Sequence, residues 1–265
     1  MSGLPVCQTL LLQSHNGVLH ITLNRPQSRN AMSLQMVSEL RAVLAAVRDD
    51  RAIRVLVIDG ADGHFCSGGD IKDMASARTQ GATAYRELNR AFGALLEETQ
   101  HAPQVVICVL QGAVLGGGFG LACVSDIAIA AHQAQFGLPE TSLGLLPAQI
   151  IPFVVQRIGL TQARRLALTA ARFDGTQARR MGLVHFVEHD AQALAGRLDE
   201  VLAHVLCCAP GANAATKKLL LASAVQPSDE LLDQAAQWFN DAVTGAEGIE
   251  GTMAFVQKRK PGWAP

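Results

Sequence analysis

Between Val18 and Leu23 apolar and polar positions alternate loosely and stop at Asn24-Arg25-Pro26, which predicts a strand closed by a turn. Ser33 is then a candidate N-cap for Leu34, Val37, Leu40, Leu44 and Val47, whose helical spacing predicts an amphipathic helix ending at the polar run Arg48-Asp49-Asp50-Arg51. Val55 to Ile58 is a continuous apolar run, read as a buried strand. It is followed by a glycine-rich loop from Gly60 to Gly69 and a helix beginning at Ile71, with Asp70 able to cap it. The same order returns downstream: strand Val105 to Leu110, glycines 116 to 118, helix Phe119 to Val124, strand Asp126 to Ala130. Strands alternating with helices predict an α/β domain whose loops at the strand ends hold the site. From about Thr161 the pattern is helical, with Leu183 to Val187 as one further strand.

Composition narrows the function classes. The 265 residues are 49% apolar and 17% charged, enough to bury a sizeable core and unlike a disordered chain. Lys plus Arg is 22 against 23 acidic residues, so no global field draws the chain to nucleic acid or an anionic bilayer. Ala102 to Ser125 carries no formal charge and is long enough to span a bilayer, but its glycines, Pro103, Gln104 and Gln111 interrupt it; strand, turn and helix fit better. The six cysteines lack C-x-x-C spacing and mostly sit among apolar neighbours, as reduced core thiols do, and the eight histidines show no metal-ligand spacing. No metal site is expected. The first twelve residues lack a signal-peptide pattern, so the expected location is cytoplasmic.

Two glycine clusters follow buried strands: Ser67-Gly68-Gly69-Asp70 and Gly116-Gly117-Gly118. Converging, they would each offer a backbone N–H to one developing oxyanion; equally, their small size serves close packing of helix on strand. Phosphate binding is disfavoured, because Gly116-x-Gly118 is followed by Leu121 where a dinucleotide fingerprint needs a third glycine, and neither cluster has the Lys-Ser/Thr of a P-loop. Glu140 is the candidate acid/base. The run from Thr141 to Gln156 is uncharged, so its carboxyl would titrate high against apolar surface, the bland alternative being a solvated glutamate at a helix start.

Leu23-Asn-Arg-Pro26 with Asn30-Ala31, Phe65-Cys-Ser-Gly-Gly-Asp-Ile-Lys72, Gly116-Gly-Gly118 with Asp126, Phe136-Gly-x-Pro-Glu140, Gly144-x-x-Pro147 and Phe255-x-x-Lys-Arg-Lys-Pro261 together resemble the enoyl-CoA hydratase/isomerase (crotonase) family. The resemblance implies a spiral of ββα units over residues 1–195 and a C-terminal helical trimerisation region over 196–265, assembling as a homotrimer or a dimer of trimers. It implies an acyl-CoA thioester as partner, CoA entering as part of the substrate and no other cofactor being required. Gly69 and Gly117 take the oxyanion-hole positions and Glu140 the acid/base position. Ser67, Ile71 and Lys72 match positions near the thioester and CoA arm, joined by Ser28, Arg29 and Asp70 of the same two motifs. Lys258 matches a basic segment that approaches CoA phosphates, or else belongs to a solvated tail.

One departure shapes the expected activity. Hydratases of this family carry two glutamates, and where the first belongs this chain has Gly120. With Pro147-Ala-Gln-Ile-Ile-Pro-Phe-Val154, that change is similar to the subgroup acting on branched glutaconyl-CoA thioesters, methylglutaconyl-CoA and isohexenylglutaconyl-CoA. A second substrate carboxylate needs a cationic or hydrogen-bonding partner if buried. Arg29 is one candidate; it could equally contact a CoA phosphate or lie in an exposed loop. The expected activity is hydration of such a thioester by Glu140. The alternatives are an enoyl-CoA isomerase using Glu140 as sole base and a non-catalytic acyl-CoA-binding protein.

Overall fold

The structure is a computed structural model and describes residues 3–71, 73, 75 and 82–265. Strands β1 (Leu10–His15), β2 (Val18–Leu23), β3 (Val55–Gly60), β4 (Val105–Leu110), β6 (Ile127–Ala131) and β8 (Phe186–Glu188) form one sheet in the order β1-β2-β3-β4-β6-β8. β1 runs antiparallel to β2, and every later pairing is parallel. Both faces of this sheet are covered, which is why its central strands are continuous apolar runs. Leu56, Ile58, Val106 and Cys108 enter the main core, whereas Val55, Val57, Ile107 and Val109 face a second core completed by Leu194 and Val201 of α6 (Ala191–Leu206).

A second, smaller layer stacks beside it. β5 (Ala113–Leu115) pairs with β7 (Gln135–Gly137), and isolated bridges extend the layer from Met32 to Gly69, Cys66 to Val114 and Phe136 to Phe173. Each turn of the chain therefore contributes one strand to the large sheet, a short extended piece to the small one, and a helix. The helices closing these turns are α1 (Leu34–Val47), α2 (Ala82–Gln100), α3 (Gly117–Val124) and α4 (Ile151–Thr169). A short α5 (Gly175–Arg180), capped by Asp174, then leads into β8. This is the α/β spiral that the motifs imply.

Side chains lock successive turns together. Asn30 donates to Ala61 O (2.9 Å) and His64 O (2.6 Å) and accepts the Arg25 N–H at 2.8 Å, tying the first turn to the second. His64 Nδ1 accepts the Ala113 N–H at 3.1 Å, tying the second to the third. Ser33 caps α1 as its sequence position predicts, accepting from Met36 N–H at 3.2 Å.

After β8 come α6, α7 (Pro210–Ala222), α8 (Ser228–Thr244) and α9 (Ala246–Val256), and position 195 falls inside α6. Leu220, Leu232, Phe239, Val256 and Phe255 are exposed on the last three helices. The expectation of core thiols holds for Cys66, Cys108 and Cys123, but Cys207 and Cys208 are exposed at the end of α6. They terminate a helix at the surface, and the apolar residues beside them in sequence do not surround them in space. Among the described residues no helix is long and apolar enough to cross a membrane, and no cluster of His, Cys, Asp or Glu is arranged to hold a metal ion.

Candidate active site

The first glycine loop is held on two sides. Met32 N–H donates to Gly68 O (2.8 Å) and Asp70 N–H to Met32 O (3.0 Å); on the other side Cys66 N–H donates to Ala113 O (2.8 Å). In this bridge Gly69's own N–H points away from Met32, and it donates to no acceptor among the described residues. Arg25 reinforces the loop, contacting the buried Asp70 carboxylate at 2.7 Å and donating to Ala31 O at 2.6 Å.

The second loop leads from β5 into α3. Gly116 adopts φ +48° and ψ −111°, a backbone state that side chains disfavour, and a Cβ there would lie 2.8 Å from Glu140 Oε1 and 3.4 Å from Gly68 Cα. Glycine at 116 thus lets both loops and the glutamate meet. Gly117 opens α3, so its N–H has no intrahelical acceptor and stands at the positive end of the helix dipole. Every residue of α3 is buried, which keeps that field from being screened by water.

Glu140 begins a 3-10 turn, Glu140–Leu143, that closes through Leu145 N–H to Glu140 O (2.9 Å) and is anchored by Thr141 Oγ1 donating to Ala167 O (2.8 Å). Burial pushes its carboxyl above the ordinary glutamate range. Its Oε2 is buried and has no hydrogen-bond partner among the described residues.

Gly69, Gly117 and Glu140 all line one cavity of about 420 Å³. Asp70 lines it too, as a loop anchor. The remaining wall is mainly apolar, from Met32, Val37, Phe92, Leu145, Leu146 and Pro147. Two donors and one unsatisfied, desolvated carboxyl around an apolar space are what a thioester needs if its carbonyl oxygen is to gain negative charge while a proton moves nearby.

The other described candidates from the sequence lie outside this lining. Ser67 Oγ donates to Ser28 O (2.8 Å) and Ser67 N–H to Arg29 O (3.0 Å), so these three clip the first turn to the Gly69 loop. Arg29 is exposed with φ +50°, and Ile71 is 75% exposed. Lys258 is exposed beyond α9, and Lys72 lies outside the described residues. Sequence reasoning misses the wall supplied by α2, where Tyr85, Arg86, Asn89 and Phe92 face the cavity. Their helical spacing places them on one face of α2, but that pattern does not tell a cavity from solvent.

The family model for enoyl-CoA hydratase/isomerase matches residues 13–265. The chain belongs to the enoyl-CoA hydratase/isomerase family. It is an enoyl-CoA hydratase, a lyase with the crotonase fold. Among solved structures it is similar to Pseudomonas aeruginosa AtuE, at 73% identity and TM-score 0.96 over 97% of this chain and 100% of that one. An enoyl-CoA hydratase/isomerase from Marinobacter aquaeolei is 53% identical, with TM-score 0.96 over 98% and 100% of the two chains. The mevalonyl-coenzyme A hydratase sidH of Aspergillus fumigatus is 33% identical over 255 residues, 94% of this chain and 92% of that protein.

Gly120, where the resemblance expects the family's first glutamate, is tightly packed. A Cβ on Gly120 would stand 3.2 Å from Leu96 Cδ1 and 3.3 Å from Ile150 Cγ2. Gly120→Glu is therefore expected to lower stability by at least about 1–3 kcal/mol through overpacking, with no gain in hydration rate. Urea denaturation and a hydration assay check both parts.

Proposed function

We propose that the protein adds water across the double bond of a branched, carboxylated 2-enoyl-CoA such as isohexenylglutaconyl-CoA or methylglutaconyl-CoA. The observation that carries this reading is the meeting of the Gly69 and Gly117 amides with the Glu140 carboxyl at one cavity. The Glu140 carboxylate takes a proton from water as the water oxygen bonds to C3. The thioester oxygen collects the resulting charge between the two amides, and the protonated Glu140 returns the proton to C2. Water is consumed and the carboxylate is regenerated, so one glutamate closes the cycle.

The apolar lip at Leu145 and Leu146, 47% and 73% exposed, suits a branched substituent. Ser28, Arg29, Ser67, Asp70, Ile71 and Lys72 are proposed to border the CoA arm, with Lys258 approaching its phosphates. The exposed apolar residues of α7 to α9 support assembly as a homotrimer or a dimer of trimers. No metal or redox cofactor enters the proposed reaction.

The test is a direct comparison of isohexenylglutaconyl-, methylglutaconyl- and crotonyl-CoA by absorbance and mass spectrometry. The expected result is a gain of one water, with the highest kcat/KM on a glutaconyl thioester. Preference for crotonyl-CoA, or solvent deuterium exchange without hydration, would overturn the reading.

A further inference from the structure

The charged residues of the cavity wall are not equivalent. Asp70 is paired with Arg25, Asp73 accepts the Leu34 N–H at 2.7 Å, and Glu140 faces the amide donors. Arg86 is the one cation among the described lining residues, and it has no ion pair or hydrogen bond among them. Beside it, Asn89 Oδ1 accepts from Gln149 Nε2 at 2.9 Å, which leaves the Asn89 amide hydrogens facing no acceptor among the described residues.

α2 sets the distance between this polar end and the reacting end. Phe92 Cζ would lie 3.2 Å from a Cβ on Gly117, so Phe92 abuts the oxyanion donor. Arg86 precedes it by six residues, roughly 9 Å along the helix axis. The wall thus runs from a cation with a neutral amide beside it to an aromatic ring at the site of reaction.

We infer that Arg86 binds the second carboxylate of the substrate, assisted by Asn89, and so selects carboxylated enoyl-CoA thioesters over uncharged ones. This rests on the substrate class proposed above. A guanidinium offers paired donors matched to a carboxylate, and Arg86 and Asn89 are both exposed, so their donors are accessible to an incoming substrate.

The experiment compares kcat/KM on methylglutaconyl-CoA and crotonyl-CoA for the wild type, Arg86→Gln and Arg86→Lys, with circular dichroism confirming folding. The expected result is a fall of about tenfold or more in the carboxylated-to-uncharged ratio for Arg86→Gln, with much of it regained in Arg86→Lys. A ratio within twofold of wild type in Arg86→Gln overturns the inference while leaving the substrate reading intact. A wild type that hydrates no carboxylated thioester overturns the substrate reading, and the inference with it.

Discussion

Glu140→Gln is expected to lower kcat for hydration by about 10²–10⁴-fold while leaving the fold in place. The amide matches the carboxyl in size, so the turn anchored by Thr141 survives, but it neither takes a proton from water nor returns one to C2. Burial raises the carboxyl's pKa, so the wild-type rate should fall on the acid side with an apparent pKa above the ordinary glutamate value. That limb should vanish from the residual activity of the variant. Stability should move the other way. With its folded pKa above its unfolded one, the native state binds more protons between the two, and stability falls as pH rises through that window. At neutral pH the buried charge is therefore a cost, and Glu140→Gln should melt higher than wild type there, with the difference closing below the ordinary glutamate pKa. Thermal melts at several pH values and a pH–rate profile check both directions.

Where side chains follow a long period, the sequence is readable. Val18–Leu23 and Val105–Leu110 are strands with the expected bounds, and Ser33 caps α1. The small second layer escapes such reading because β5 and β7 have three residues each, too short to display a period, and Met32 and Cys66 join it by single bridges. Leu183 and Val184 are buried without being strand; β8 begins only at Phe186, since an apolar run reports burial and not backbone state. At the site, the two glycine clusters and Glu140 stand out in the sequence, and the family resemblance singles out Gly69 and Gly117 within them. Arg86 and Asn89 do not stand out, because a polar residue on an amphipathic helix looks the same whether it faces solvent or a cavity.

Gly117→Pro tests the proposed oxyanion donor. Proline suits the first residue of a helix and removes only the N–H that has no intrahelical acceptor, so α3 keeps its own hydrogen bonds. Added bulk is a separate effect, because any Cβ at 117 meets Phe92 Cζ at 3.2 Å and Met32 Cβ at 3.7 Å. Gly117→Ala carries that bulk while keeping the donor and is the proper reference. Relative to it, Gly117→Pro should lose about 10²–10³-fold in kcat, the cost of one missing oxyanion donor, provided circular dichroism shows both variants folded. The loss should fall on kcat more than on KM, because the thioester oxygen bears most charge in the transition state. Equal kcat in the two variants would mean that the Gly117 amide does not face the developing charge, and the site would have to be rebuilt around Gly69 alone.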